Sequence, residues 1–197
     1  MFQKFNNNLV RHFSAALESL YYRFYKKEDQ NGPWYYQHKM DLETYALNNW
    51  NKSLGPAHGP EHWRRVENFG LLLWDPKKVD SDVVLAFAYL HDLKRHNNDE
   101  DPGHGERAAE LVDKLRDSLL SYLSKRQIRL LKRACLLHSN TTCTLNATIN
   151  TCFDSDRLDL PRCGIVVNPK QLATERARML CETEWYKTLW SRYNEED

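Results

Sequence analysis

The sequence contains no apolar run of about eighteen residues, the length that a membrane-spanning helix requires, so we predict no membrane span. Residues 1–27 carry scattered charges and lack both the continuous apolar segment and the small-residue cleavage site of a secretory signal. The chain also has no internal repeat and no low-complexity tract. These absences predict a cytoplasmic protein.

An excess of charge of either sign is also missing. The 28 basic and 27 acidic residues leave a formal net charge of +1, so no overall field attracts nucleic acid or an anionic membrane surface. We therefore predict neither as a partner, and any anionic ligand must be recognised locally. The 41% hydrophobic and 12% aromatic content is typical of a folded protein, and the length suits a single domain over residues 1–197.

Closely spaced cysteine pairs are the third absence. The five cysteines are odd in number, and none belongs to a Cys-x-x-Cys pair. This pattern favours reduced thiols over a disulfide framework or a structural zinc site. They are Cys135, Cys143, Cys152, Cys163 and Cys181.

Apolar residues recur with the 3.6-residue period of a helix along most of the chain. Only the segment 164–167, Gly-Ile-Val-Val, has a β-like sequence, and it is short. We therefore predict an all-α fold, a compact multi-helix bundle. The expected helices cover residues 8–26, 36–51, 61–74, 80–93, 104–120, 124–138 and 169–193.

Turn and cap residues mark where several of these helices begin. The Gly- and Pro-containing turn at residues 53–60 separates the N-terminal helices, within residues 1–52, from the rest of the chain. Pro60 suits the first position of the helix that follows it. Asp80 or Ser81 is expected to cap the next one.

Side chains that bind metal ions lie near the starts and ends of these helices. A single histidine at such a position more often caps a helix or lies in the core with its hydrogen bonds formed. Together, four imidazoles and two carboxylates form a ligand set for one or two divalent ions, with Fe, Mn, Ni, Co, Zn or Mg as candidates, and a helical bundle can direct them into one cavity. The candidate ligands are His62, His91, Asp92, His104, His138 and Asp156.

The order of these residues resembles the HD superfamily of metal-dependent phosphohydrolases. That family is marked by a histidine, then an adjacent His-Asp pair, then a later aspartate, here His62, His91 with Asp92, and Asp156. The segment Asp156–Asp159, Asp-Arg-Leu-Asp, is similar to the end of this motif in small bacterial members. The resemblance covers about residues 56–166 and implies an HD-type core, with the N-terminal helices and a C-terminal helix over residues 169–193 packed on it.

The resemblance also implies how two ions would be held. Members with two metal ions add two histidines between the His-Asp pair and the last aspartate, and His104 and His138 match them. Asp92 would then bridge the ions, because a carboxylate has two oxygen atoms. Asp159 lies about one turn after Asp156, which places it near the site if the segment is helical.

Charged residues around the motif are candidates for binding a substrate. Lys94 and Arg95 follow the His-Asp pair, and Arg65 lies three residues after His62, so all three could contact a phosphate. Solvated helix faces are the alternative reading. His96 could protonate a leaving oxygen, or it could simply be exposed in a polar loop.

Arg95 and His96 also argue against one branch of the superfamily. Relatives that hydrolyse guanosine alarmones carry an acidic pair at these two positions. The Gly-Tyr-Pro element of the cyclic-dinucleotide branch is absent as well.

The expected function is hydrolysis of a phosphate ester or anhydride, in a nucleotide or a small phosphorylated metabolite, with Asp92 central to catalysis. A metal ion would lower the pKa of a bound water and polarise the phosphoryl group. Two alternatives stay open. One is a di-iron oxygenase of the same superfamily that acts on a small polyol or phosphonate. The other is a non-catalytic domain that binds metal and a nucleotide. The sequence is compatible with either a monomer or a homo-oligomer.

Overall fold

A computed structural model describes residues 32–195 of the chain, with side chains described for residues 35–191. None of these residues forms a β-strand, so the prediction of an all-α fold is confirmed. The helix expected at residues 8–26 lies outside the described residues. The α-helices are α1 (Gly32–Asn49), α2 (Pro60–Leu73), α3 (Ser81–Leu90), α4 (His104–Leu115), α5 (Lys125–Leu137), α6 (Ala147–Arg157), α7 (Glu175–Cys181) and α8 (Glu184–Glu195).

Short 3-10 helices connect some of these elements, at Lys52–His58, Leu160–Cys163 and Pro169–Gln171. The chain divides into two compact units, Met1–Met40 and Asp41–Asp197. The described part of the first unit is the beginning of α1. All the candidate metal ligands lie in the second unit. The single domain predicted over residues 1–197 stays a prediction.

The starts of the helices follow from local capping. Pro60 is the first residue of α2, where its missing N–H costs nothing. The Asp80 side chain accepts the backbone N–H of Val83 and caps α3, as predicted. Ser124 and Gln127 form a reciprocal capping box at the start of α5.

Some predicted helix boundaries were wrong. The helix expected over residues 104–120 ends at Leu115, because the Leu115 carbonyl accepts bonds from the N–H groups of Ser118 and Leu120 and from the Ser118 hydroxyl. The segment 164–167 is not a strand. It begins with Gly164, whose φ of 72° ends the preceding 3-10 helix.

The C-terminal helix predicted over residues 169–193 was also wrong as a single element. The structure has a 3-10 turn at its start and then two helices, α7 and α8. Thr174 and Thr183 interrupt the pattern, because their hydroxyl oxygens accept the N–H groups of Ala177 and Tyr186, each at 3.2 Å. Each threonine therefore begins a new helix.

Helix α6 was not predicted, although it carries Asp156. Its sequence is rich in Thr and Asn, which have low helix propensity. The helix is instead stabilised by the Asn146 cap and by the burial of Ile149, Cys152 and Phe153. Tertiary packing thus overrides local propensity here.

Helix α3 is the centre of the core. It contacts α2, α5 and α6, and every residue from Val83 to Leu90 is buried. A helix that is apolar on all sides is expected only where it is buried on all sides. The long apolar run before His91 therefore reflects a helix enclosed by its neighbours, whose C-terminal end lies in the interior.

Helices α4 and α5 approach each other closely at Gly105. A Cβ atom at this position would lie 2.6 Å from the carbonyl oxygen of Cys135 and 3.1 Å from that of Leu136. Both contacts are with backbone, which cannot easily move aside. Glycine is therefore required for this contact, which brings the start of α4 against the end of α5.

Within the described part of the chain, no helix combines the length and the apolar character needed to cross a membrane.

We predict that Gly105→Ala destabilises the protein by about 1–3 kcal/mol, because the new methyl group forces α4 and α5 apart. Urea unfolding followed by circular dichroism would measure this change in the free energy of unfolding. Glu110→Ala is the matched control, since Glu110 is exposed on the same helix and the change adds no atom between α4 and α5. That variant should cost less than about 1 kcal/mol, and equal losses in the two variants would contradict the close-contact explanation.

Candidate metal centre

The structure brings all six predicted metal ligands together in the interior. The four histidines each lie at a helix end, and Asp156 lies in the last turn of α6. His62 and His91 are fully buried, and the side chain of Asp156 is the most accessible of the six at 17%. The residues are His62 in the first turn of α2, His91 and Asp92 after α3, His104 at the start of α4, His138 after α5, and Asp156.

Three of the histidines are oriented by backbone carbonyls. A carbonyl oxygen can only accept a hydrogen bond, so each Nδ1 carries a proton, and in the neutral ring Nε2 has a free lone pair. The acceptors are the oxygen of Phe87 for His91, of Asp101 for His104 and of Cys135 for His138, at 3.0, 2.5 and 2.7 Å. All three Nε2 atoms are thereby directed into the cluster.

His62 is oriented by a carboxylate instead. Its Nδ1 donates to Asp159 Oδ2 at 2.7 Å. Arg65 holds the same carboxylate through Nε to Oδ1 at 2.6 Å and Nη2 to Oδ2 at 3.2 Å. Asp159 is fully buried, so it lies near the site, as expected, and supports a ligand from behind.

Four atoms surround the first position where an ion could bind. The Nε2 atoms of His62 and His91 lie 3.1 Å apart, and Asp156 Oδ1 lies 3.6 Å from each of them. Asp92 Oδ2 lies 3.7 and 3.8 Å from the same two nitrogen atoms. Ligands bound about 2.0–2.2 Å from an ion are about 3–4 Å from one another, so these atoms fit around one ion.

A second position lies on the other side of Asp92. The Nε2 atoms of His104 and His138 are 2.9 Å apart, and Asp92 Oδ1 lies 3.4 and 3.6 Å from them. Oδ1 is buried and makes no hydrogen bond with any described residue. Such an oxygen is costly unless it has a partner, and a cation between these three atoms would provide one.

Asp92 therefore presents one oxygen to each pair of imidazoles. Within each pair of imidazoles the two Nε2 atoms lie only 2.9 or 3.1 Å apart. Their lone pairs repel each other unless a positive charge lies between them. A divalent cation would relieve this repulsion, and buried groups of this cluster could hold a metal ion.

The pKa values of the histidines differ within the cluster. Burial, together with the charge of Arg162, lowers the pKa of His62 to about 4. Burial also lowers the pKa of His104. For His91 burial acts in the same direction, but the carboxylates of Asp92 and Asp156 outweigh it and raise the pKa. His62 and His104 are therefore ready to bind a cation at neutral pH without losing a proton.

Both carboxylates of the cluster have a lowered pKa. Burial would raise the pKa of Asp92, but the charge of His91 and the hydrogen bond from His58 help to outweigh it. The same opposition holds for Asp156, where His91 and His62 outweigh burial. The two side chains are therefore negatively charged at neutral pH, as metal binding requires.

Arg95, predicted to contact a phosphate, lies against the cluster. Its Nη1 is 3.8 Å from Asp92 Oδ1. Its Nε and Nη2 donate to the carbonyl oxygens of Asn97 and Asp99, at 3.2 and 2.7 Å. The loop after α3 thus holds the guanidinium beside the second ion position.

The other residues proposed to bind substrate are placed differently. Arg65 is engaged by Asp159. Lys94 is half-buried and His96 is exposed. Neither the Lys94 ammonium nor the His96 ring forms a hydrogen bond or ion pair with a described residue of the cluster. Their backbones instead order the loop, since the Lys94 carbonyl accepts from Arg107 and the His96 N–H donates to Asp101.

His58 is a further residue of the site that was not predicted from the sequence. Its Nδ1 donates to Asp92 Oδ2 at 2.6 Å, and the residue is only 8% exposed. The one signal in the sequence was the spacing of four residues to His62, but residues 53–60 were interpreted only as a turn. His58 in fact ends the 3-10 helix within that turn.

Comparison with known proteins finds no matching protein-family model, no similar curated protein and no similar solved structure. The resemblance to the HD superfamily therefore depends on the order of the motif residues and stays a prediction. The buried His and Asp cluster is observed independently of that resemblance.

We predict that the titration of His62 lowers the stability of the metal-free protein as the pH falls from about 6.5 to about 4. Unfolded His62 takes up a proton near its ordinary pKa of 6.5, whereas folded His62 stays neutral down to about 4. The unfolded state then binds more protons, so the free energy of unfolding falls by ~3 kcal/mol across this window.

Urea unfolding in the presence of a chelator, at about pH 7 and about pH 5, would measure this effect. His62→Asn keeps a donor toward Asp159 but cannot titrate, so its stability should depend less on pH than that of the wild type. An identical pH dependence in the two proteins would contradict the assignment to His62.

We also predict that Asp159→Ala destabilises the protein by about 3–5 kcal/mol, because Arg65 is left buried without its carboxylate. Its metal affinity should fall about 10–100-fold, since the His62 ring loses its orienting partner. Asp159→Asn keeps an acceptor for His62 and should lose less affinity. Titration with Mn²⁺ measures this, and wild-type affinity in Asp159→Ala would rule out the orienting role.

Proposed function

We propose that this chain is a metal-dependent phosphohydrolase that acts on a phosphate ester or anhydride. The observation that carries the proposal is the position of Asp92, with each carboxylate oxygen facing a separate pair of imidazole nitrogens. A carboxylate between two donor sets is the arrangement of two-metal hydrolytic centres. The predicted HD-type motif adds to this support.

The donor set also narrows the choice of metal. Four imidazoles favour Mn, Fe, Co, Ni or Zn, whereas Mg²⁺ prefers sites made of oxygen atoms. When bound, such ions supply a water-derived nucleophile at neutral pH and stabilise negative charge on a phosphoryl group. His62, His91 and Asp156 would hold one ion, His104 and His138 the other, and Asp92 both.

Arg95 is the residue of this chain best placed to meet the substrate. Two of its guanidinium nitrogens are held by loop carbonyls, so Nη1 stays fixed beside the second ion position. A fixed positive charge there would orient a phosphate and stabilise the charge that it gains during hydrolysis. With a formal net charge of only +1, recognition by such a local group suits a nucleotide or a small phosphorylated metabolite better than a nucleic acid.

The nitrogen-rich donor set also favours a second candidate. Imidazole suits iron, so a di-iron oxygenase that acts on a small polyol or phosphonate fits the same six ligands. The two functions differ in their co-substrate. Hydrolysis consumes water and releases phosphate, whereas the oxygenase consumes O₂.

Metal analysis of the purified protein, followed by phosphate release from a panel of nucleotides and phosphate esters, tests the proposal. Parallel measurements of O₂ consumption with iron-loaded protein separate the two enzymes. Phosphate release without O₂ consumption supports the hydrolase, and the reverse supports the oxygenase. Neither activity, combined with a ligand that raises the Tm, would identify a binding domain.

We predict that Asp92→Ala loses bound metal and hydrolytic activity together, with activity falling more than about a hundredfold, because both ion positions use this carboxylate. Asp99→Ala is the matched control, since the Asp99 side chain is exposed in the adjoining loop. It should keep wild-type metal content. Retained metal and activity in Asp92→Ala would remove the proposed site.

A further inference from the structure

His58 is a buried histidine that belongs to neither pair of imidazoles. Its Nδ1 donates to Asp92 Oδ2 at 2.6 Å, and its ring packs edge-on against His62, with ring centroids 6.1 Å apart. Asp92 Oδ1, by contrast, receives no hydrogen bond from any described residue. The two oxygens of this carboxylate are therefore held in different ways. Oδ2 accepts a short hydrogen bond from His58, whereas Oδ1, opposite His104 and His138, has only the longer ion pair with Arg95 at 3.8 Å.

The backbone holds His58 firmly against Asp92. Before it, Gly55 makes a turn with φ of 63°, a conformation that favours glycine. Arg162 then donates from Nε to the Ala57 carbonyl at 2.7 Å. After it, a Cβ atom at Gly59 would lie 2.8 Å from the Trp50 ring, so the chain passes close to that ring. The position of the imidazole is thus set by contacts on both sides.

A bridging carboxylate needs such support because it can rotate. The terminal torsion of an aspartate side chain has a broad energy profile, so one hydrogen bond to Oδ2 also decides where Oδ1 points. A carboxylate oxygen has two lone-pair sites. Oδ2 can therefore accept the His58 N–H and still bind an ion between His62 and His91.

The two ion positions depend on this orientation to different degrees. The first has three other donors, from His62, His91 and Asp156. The second has only the two imidazoles of His104 and His138 besides Asp92 Oδ1. A rotated carboxylate would therefore remove a larger share of the donors at the second position.

We propose that His58 is a positioning residue that holds the Asp92 carboxylate in its bridging orientation, and that binding of a divalent cation at the His104 and His138 position depends on it. This inference rests on the proposed two-metal centre. It adds a residue outside the six predicted ligands and makes the two ion positions unequal in their dependence on that residue.

The test compares two variants that differ in where they place an N–H donor. The side-chain nitrogen of asparagine lies close to the position of histidine Nδ1, whereas that of glutamine lies near Nε2. His58→Asn should keep the bond to Asp92, and His58→Gln should lose it. Lys52→Ala, an exposed change in the same 3-10 helix, is the control for effects on that segment.

Titration of the metal-free proteins with Co²⁺, followed by calorimetry and by the visible absorption of the bound ion, measures stoichiometry and the environment of each ion. The wild type and Lys52→Ala should bind two ions. His58→Gln should bind the second ion about 10–100-fold more weakly and the first with little change, while His58→Asn should stay within about threefold of the wild type for both.

Each other result has a defined meaning. Two ions bound by His58→Gln with wild-type affinity and spectrum would overturn the positioning role and leave the two-metal centre intact. An equal loss of both ions in the Asn and Gln variants would also overturn it, since a donor at Nδ1 would then make no difference. A wild type that binds no Co²⁺ would overturn the proposed metal centre, and this inference with it.

Discussion

The burial of one charged carboxylate, that of Asp92, is the constraint on which the rest of the structure depends. A carboxylate in the interior is stable only when each oxygen has a compensating partner. His58 supplies a hydrogen bond to Oδ2, Arg95 lies 3.8 Å from Oδ1, and a cation between the imidazole nitrogens that face the carboxylate would provide the rest. The residues around this one carboxylate come from separate helices, so the ends of several helices meet at Asp92.

Helix ends are suited to this role for a physical reason. Free backbone carbonyls at the C-terminal ends of α3 and α5 carry partial negative charge, and His91 and His138 follow directly after these helices. A cation bound there would be attracted by the helices as well as by the side chains. The enclosed helix α3 provides a rigid base, since none of its residues from Val83 to Leu90 reaches solvent to any large extent.

The sequence carried much of this information, and its limits have clear causes. The all-α fold and most helices of the second unit follow from apolar periodicity, and the six candidate ligands were selected by their order along the chain. Helix α6 could not be foreseen because its stability comes from tertiary burial, and the break at Thr183 depends on a hydroxyl that competes with the helix. His58 was missed because its role depends on a contact 34 residues away, which no local pattern records.

The close contact at Gly105 has a consequence for what the centre can accept. His104 and His138 stand on two backbones that already touch where a methyl group would not fit, so the two helices cannot bring these residues closer together. The packing of the main chains therefore sets the closest approach of the two backbone segments that carry these imidazoles. Any adjustment that draws the two nitrogens closer together around a small ion must therefore come from rotation of the imidazole side chains and not from movement of the helices.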